Sequence, residues 1–203
     1  SPLLKENIFV KTKAALPLAE ALIKSAPGNF LERRKEIKAA LPKSNPEAQA
    51  LFLRFWQEAL EKTGKTKEAK AIALRRYIEE PVSKHAPSAP PRALKADERL
   101  ARGENFLSAH RNPKVIETLQ NIPAQIQGEK RCRWYFALGM AHRKLHHYSK
   151  AQEHLQEAMR ICSDKDLIRR AAYVHAKVIS IRSGLKAIEP IEAFADNFAG
   201  HTM

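Results

Sequence analysis

The chain has 203 residues, 44% of them hydrophobic, and a formal charge of +14 from 36 Lys and Arg against 22 Asp and Glu. This length and apolar content allow a buried core, which excludes an intrinsically disordered protein. Charged residues interrupt every apolar run before the roughly 20 residues that a membrane-spanning helix needs, so no membrane span is expected.

The positive charge predicts attraction to polyanions such as nucleic acid, anionic lipid or acidic cell-wall polymer. The basic pairs Arg33-Arg34, Arg75-Arg76 and Arg169-Arg170 are dispersed along the chain. They do not form a basic run interleaved with aromatic residues, so nucleic acid is the least favoured of these three polyanions. Many of these residues are expected simply to lie on solvated helix faces.

The residue pattern predicts an all-α protein. Ala, Leu, Glu, Lys, Arg and Gln dominate, and period-2 alternation is absent. In chain order, a first helix is predicted over 3–24, interrupted or started at Pro17, and a second over 29–41. Prolines and glycines mark the boundaries of these helices.

Two further helices are predicted before residue 81. The third covers 46–62, and Ser44 or Asn45 can cap it through its side-chain oxygen. Its first residue is Pro46, and proline is favoured at this position because the amide donor that it lacks is not needed there. The fourth covers 66–80 after a turn at Gly64, with the threonine that begins it as the candidate cap. Residues 1–80 therefore read as an N-terminal helical region.

The segment PVSKHAPSAPP, residues 81–91, contains four of the twelve prolines and has no helical periodicity. Such a composition is typical of an extended connector. We place this Pro-rich connector at 81–95, between the N-terminal helical region and a second helical region at 96–203.

The second region repeats with a period of 36 residues, in the segments 100–119, 135–155 and 172–191. A fixed period of this size indicates stacked helical hairpins that bury their apolar faces against one another, which predicts three repeats in an α-solenoid. The residues that share register positions, and are expected to pack within the repeats, are Val115, Ala151 and Ala187; Leu119, Leu155 and Ile191; and Gly103 and Gly139, with His175 in the third place.

The middle unit resembles a tetratricopeptide repeat. Its small residues would let two antiparallel helices approach, and its large residues would fill the space between hairpins. The inter-helix turn departs from the family pattern, because His146 stands where the family usually has Gly. The matching residues are Tyr135, Leu138, Gly139 and His142 in the first helix and Tyr148, Ala151, Leu155 and Ala158 in the second.

A narrower resemblance comes from the joints LRRYIEEPVSKHA (74–86) and FADNFAGHTM (194–203), together with a repeat-like unit at 61–81. Over 61–80 and 96–203 the chain resembles the superhelical N-terminal region of soluble lytic murein transglycosylases. The resemblance implies a right-handed α-solenoid in the bacterial periplasm. Such enzymes cleave peptidoglycan with a C-terminal domain that carries E-S-x-F-like and G-L-M-Q-like motifs. Neither motif occurs here, so the resemblance implies a scaffold without the catalytic domain.

The two cysteines fall at the opposite ends of the middle repeat. Cys132 lies at the start of its first helix and Cys162 at the end of its second, and these ends meet if the helices are antiparallel. A structural disulfide is then plausible, and it would indicate the periplasm or the cell exterior. The alternative is two reduced cysteines in a cytoplasmic protein.

Other chemistry is weakly indicated. The segment TGKT (63–66) imitates the end of a phosphate-binding loop but lacks the first glycine, where Ala59 stands, and no strand is predicted before it. His142 and His146 have the spacing of a two-histidine metal site, which Glu153 could complete, but the repeat register gives them packing and turn positions. We therefore predict no catalytic residue, no metal site and no cofactor.

Two functions remain open at this level. The first is a non-catalytic scaffold module of a peptidoglycan lytic transglycosylase that contacts anionic cell wall or a partner protein. The second is a free-standing tetratricopeptide adaptor that binds a protein or peptide. Because a solenoid normally ends in a polar capping helix, self-association at the C-terminal end is a further expectation.

Overall fold

The computed structural model describes residues 2–42, 45–122 and 126–183, and over these ranges it contains helices and no strand. The all-α prediction is therefore confirmed. The chain forms two compact units, Ser1–Ala93 and Leu94–Met203. No described helix is long and apolar enough to cross a membrane. The helices are α1 (Pro2–Ser25), α2 (Pro27–Ala40), α3 (Pro46–Lys62), α4 (Thr66–Glu79), α5 (Ala96–Ser108), α6 (Asn112–Leu119), α7 (Gly128–Lys144), α8 (Tyr148–Ile161) and α9 (Lys165–Ser183).

The predicted break at Pro17 is wrong, because α1 continues through this residue. A proline inside a helix removes one backbone hydrogen bond but leaves those of the flanking turns intact. In this part of α1, Ala15, Ala19 and Ile23 are buried in the core of the first unit. We attribute the continuity to this packing, which stabilises the helix on both sides of the proline.

The third helix begins as the sequence predicts. Asn45 is the N-cap, its side-chain oxygen accepts a hydrogen bond of 3.0 Å from the amide of Ala48, and Pro46 is the first helical residue. Thr66 is not a cap, because it is itself the first residue of α4 and Lys65 precedes it. Helices α2 and α3 meet at the rings of Phe30 and Phe52, whose centroids are 5.9 Å apart. Residues 80–95 contain no helix.

In the second unit, α7 packs against α5, α6, α8 and α9. The indole nitrogen of Trp134 donates a buried hydrogen bond of 2.8 Å to the carbonyl oxygen of Leu119, which joins the end of α6 to α7. Trp134 and Leu119 are 5% and 0% exposed, so this bond lies within the core. The α5–α6 hairpin and α7 therefore share one hydrophobic cluster.

Three helical hairpins, α3–α4, α5–α6 and α7–α8, turn in the same way. In α7–α8 the amide of His147 donates to the carbonyl of His142 at 2.9 Å, and the amide of His146 donates to the carbonyl of Arg143 at 3.1 Å. This pair of bonds is the Schellman motif, which requires one residue in the left-handed region. The residues in that conformation are Gly64 (φ 73°), His110 (φ 58°) and His146 (φ 62°).

The 36-residue period places the same close contact in two successive hairpins. A Cβ atom at Gly103 would lie 2.5 Å from Leu119 Cδ2, and one at Gly139 would lie 2.7 Å from Leu155 Cγ. The first helix of each hairpin thus presents a glycine to a buried leucine of the second. His175 takes the glycine position in α9. Its expected packing partners, Ala187 and Ile191, lie outside the described residues.

Candidate functional site: a disulfide-linked hairpin and its groove

Cys132 and Cys162 form a disulfide between the start of α7 and the residue that follows α8. Their Cα atoms are 5.2 Å apart, within the usual range for such a bridge. Cys132 is fully buried, and Cys162 is half-buried. The disulfide therefore closes the open end of the α7–α8 hairpin, opposite the turn at His146.

Glu129 lies beside the disulfide. One of its carboxylate oxygens accepts hydrogen bonds from the hydroxyl (3.0 Å) and the amide (3.4 Å) of Ser163, and the other oxygen is buried without a partner. Glu129, Cys132 and Cys162 bring three potential metal-ligand atoms within 4.8 Å of one another. Because thiolates bind metals and disulfide sulfurs do not, this group has no metal chemistry while the cysteines are oxidised.

A groove of about 330 Å³ runs beside this hairpin across α5, α7 and α9. Its floor is apolar, since Phe136 and Leu167 are 7% and 8% exposed. Charged side chains stand along its edges. The lining residues are Glu104, Leu107, Ser108, Glu129, Arg133, Phe136, Ala137, Asp164, Leu167 and Arg170.

The two arginines of the groove have different environments. Arg133 forms a two-point ion pair with Glu104, in which Nε donates to Oε1 at 2.8 Å and Nη2 contacts Oε2. This hydrogen-bonded pairing raises the pKa of Arg133 above its usual value. The guanidinium of Arg170 lies 5.0 Å from the centroid of the Phe136 ring, a cation–π distance. Arg170 is exposed, so the groove offers it to a ligand.

Three histidines, His142, His147 and His154, cluster in the α7–α8 hairpin. His142 is 6% exposed, its Nδ1 lies 3.3 Å from Nδ1 of His147, and its ring stacks on that of His154 at 5.3 Å between centroids. Burial, followed by repulsion from His154, His147 and Lys150, lowers the pKa of His142 to about 4. Burial also lowers the pKa of His154. The rings of His142 and His154 stack as aromatic rings do, and His142 lies at the register that Phe106 occupies in α5–α6.

The described histidines of this cluster do not bring three ligand atoms within 4.8 Å of one another. Within the described ranges, the one group of three close His, Cys, Asp or Glu ligand atoms is that of Glu129 and the two cysteines. His146 points elsewhere, with Nδ1 2.7 Å from the hydroxyl oxygen of Tyr148. The structure therefore does not bring the histidines and Glu153 together as a metal site.

The predicted packing residues of the first two repeats lie in the core. Most are below 4% exposed or are glycines under a leucine; of the others, His142 is 6% exposed and Tyr135 and Tyr148 are half-buried. The groove residues Arg133, Phe136 and Arg170 were missed, since no motif marks them. The left-handed His110 was also missed, although it precedes His146 by 36 residues, which would have indicated it. The buried residues are Val115, Leu119, Leu138, Ala151, Leu155 and Ala158.

Comparison of the chain with protein-family models, with curated proteins and with solved structures gave no match.

Proposed function

We propose that the chain is a non-catalytic helical scaffold module, in which tetratricopeptide-like hairpins stack as a right-handed α-solenoid. It belongs in this proposal to a peptidoglycan lytic transglycosylase of the bacterial periplasm. The observation that carries the scaffold role is the repeated contact of Gly103 with Leu119 and of Gly139 with Leu155, one period apart. Repeats that pack in this way build extended binding surfaces.

The disulfide supports the periplasmic location. Disulfides persist in oxidising compartments and are rare in the bacterial cytoplasm. The bridge between Cys132 and Cys162 fixes the open end of a hairpin, which is a structural position. A protein that works in the cell envelope would keep this bridge throughout its life.

The charge supports peptidoglycan as the partner. The formal charge of +14 favours an anionic polymer, and peptidoglycan carries carboxylates on its stem peptides. Any cleavage of the polymer would belong to a separate catalytic domain of the parent protein. This chain would hold that domain against its substrate, either directly or through a partner protein.

Sedimentation with purified peptidoglycan sacculi tests this function. The chain should sediment with sacculi at low salt and be released at high salt, because screening weakens contacts between exposed charges. Chitin, an uncharged polymer of similar sugars, is the matched control and should not retain it. Sedimentation that is equal with chitin, or absent with sacculi, would overturn the proposal.

The groove favours a second candidate, a tetratricopeptide adaptor that binds an extended peptide. An apolar floor at Phe136 and an exposed cation at Arg170 fit a peptide with apolar and acidic side chains. The test is saturable binding of an acidic, leucine-containing peptide, followed by fluorescence anisotropy. Arg170→Gln should weaken binding, whereas Arg169→Gln, an exposed neighbour that does not line the groove, should not. Binding of this kind without sacculus binding would replace the first function by the second.

A further inference from the structure

The first unit contains a cleft of about 540 Å³, lined mostly by charged and polar residues, that the proposed function does not use. Helices α3 and α4 form two of its walls, and the first residues of the connector form the third. Its volume exceeds that of a single ion and lies within the usual range for small-molecule sites. The lining residues are Arg54, Gln57, Glu58, Glu61, Arg76, Lys84, His85, Ala86 and Pro87.

Arg76 is a buried cation in the wall of this cleft, at 6% exposure. Its Nη1 donates to the side-chain oxygen of Gln57 at 2.5 Å, and its Nη2 donates to the carbonyl oxygen of His85. Its Nε is buried and has no hydrogen-bond partner. A buried donor without an acceptor is rare in folded proteins, so Arg76 is a charged group with unused hydrogen-bonding capacity.

Glu80 is the nearest candidate counter-ion of Arg76, and it compensates that charge only in part. It lies four residues further along the chain, but one of its carboxylate oxygens is buried without a hydrogen-bond partner. Burial raises the pKa of Glu80 to about 7, against the opposing attraction of Arg76. The carboxyl group is therefore partly protonated at neutral pH, and the charge of Arg76 is not fully balanced from within the protein.

Two more cations face the same space. Arg54 and Lys84 are exposed, and neither forms an ion pair with another described residue. The pKa of His85 is lowered first by burial, then by Lys84, and further by Arg54 and Arg76, against the opposing effect of Glu47. Lys84, Arg54 and Arg76 therefore all lie near His85, which itself lines the cleft.

The carboxylates of the cleft are already engaged. Glu58 is paired with Lys62 at 3.0 Å, and Glu61 accepts a hydrogen bond of 2.8 Å from the side chain of Gln57. Three cations and two carboxylates line the cleft, and Lys62 already compensates the charge of Glu58. The cleft is therefore net positive, which favours an anionic ligand such as a carboxylate.

We propose that this cleft binds a ligand with one carboxylate, of the size of an amino acid or a short peptide. Arg54 and Lys84 hold the carboxylate, because charge-assisted hydrogen bonds to carboxylates are the strong ones, and the buried charge of Arg76 behind them adds to the attraction. The oxygens of Glu58 and Glu61 accept hydrogen bonds from amide N–H groups of the same ligand. The proposal does not depend on the scaffold function, because the Gly103–Leu119 and Gly139–Leu155 contacts that carry that function lie in the other unit.

The first experiment is a titration of the isotope-labelled full chain with N-acetyl-alanyl-alanine, followed by NMR. We expect saturable shifts that are confined to residues of the cleft, among them the side-chain amide of Gln57. The same peptide with a C-terminal amide should bind about tenfold more weakly or worse, the value of one charge-assisted hydrogen bond. Inorganic phosphate should bind no better than the peptide. Equal binding of acid and amide, or shifts dispersed over the surface, would overturn the proposal.

Variants of exposed residues complete the test without disturbing the core. Arg54→Gln and Lys84→Gln should each weaken binding of N-acetyl-alanyl-alanine, the former by about tenfold. Lys67→Gln is the matched control, since Lys67 is an exposed cation of α4 that does not line the cleft. If Arg54→Gln and Lys67→Gln bind the peptide as the unaltered chain does, or the unaltered chain does not bind it at millimolar concentration, the cleft is not a carboxylate site.

Discussion

Leu155 packs against Gly139 so closely that a Cβ atom at position 139 would lie 2.7 Å from Leu155 Cγ. Leu155 is fully buried, and the carbonyl oxygen of Ala151 lies 3.4 Å from the same point. Neither the leucine nor the backbone behind it has free space to move into. Gly139 therefore sets the separation of α7 and α8.

Gly139→Ala should lower the free energy of unfolding by about 1 to 3 kcal/mol, since overpacking a filled core has this effect. The loss should appear although alanine favours a helix over glycine by about 1 kcal/mol. Urea unfolding followed by circular dichroism measures it. Gly28→Ala in α2 is the control, because a Cβ there meets no atom within 4 Å. Equal effects of the two substitutions would show that α7 and α8 are not closely packed at Gly139.

His146→Gly should stabilise the protein. His146 holds φ 62°, a region that disfavours side chains by about 1 to 2 kcal/mol and that glycine adopts freely. The greater freedom of glycine in the unfolded chain and the loss of the contact with the Tyr148 hydroxyl reduce the gain to about 0.5 to 1 kcal/mol. His147→Gly is the matched control. His147 has φ −83°, so a glycine there relieves no unfavourable backbone conformation and should only destabilise the protein. Thermal unfolding ranks the two variants, and the opposite order would contradict the turn geometry.

Reduction of the disulfide should destabilise the second unit. Cys132 and Cys162 are 30 residues apart, and closing a loop of that length contributes about 3 to 4 kcal/mol in the chain-entropy model. Urea unfolding with and without a phosphine reductant measures the difference. The double variant Cys132→Ala/Cys162→Ala should not respond to the reductant. Two free thiols in unreduced, denatured protein would remove both this prediction and the argument for an oxidising compartment.

Stability should fall in acid because of His142. Its pKa in the folded protein is about 4, whereas a histidine in an unfolded chain titrates near about 6.5. Between these values the unfolded state binds more protons, so the contribution of His142 is complete above about pH 6.5 and is lost as the pH falls towards 4.

His142→Phe should remove this dependence, because it places at position 142 the residue type that occupies the equivalent position 106. The neighbouring groups His154 and Lys150 on α8 and His147 in the turn are present in both proteins. Between pH 7 and pH 4.5 the unaltered chain should therefore lose about 2 kcal/mol more stability than the variant. Parallel curves for the two proteins would show that His142 titrates normally.

Local signals predicted many element boundaries. Asn45 and the proline after it mark the start of α3, because a side-chain acceptor and a fixed φ satisfy the first turn of a helix. Pro17 was misread as a break and Thr66 as a cap, because a local preference is weaker than the packing of the whole helix. The 36-residue spacing that relates Gly103 to Gly139 also relates the turn residues His110 and His146.

The sequence by itself determined the helical class, the spacing of the repeats and the pairing partners available to Cys132 and Cys162. The helical class and the repeats follow from the spacing of apolar and small residues along the chain, and the cysteine pair follows from the positions of its two cysteines. Only the tertiary structure decided that Arg170 stands over Phe136 and that Arg54, Arg76 and Lys84 share one cleft. Such groups come together from different helices and a connector, and no period in the chain encodes the distance between them.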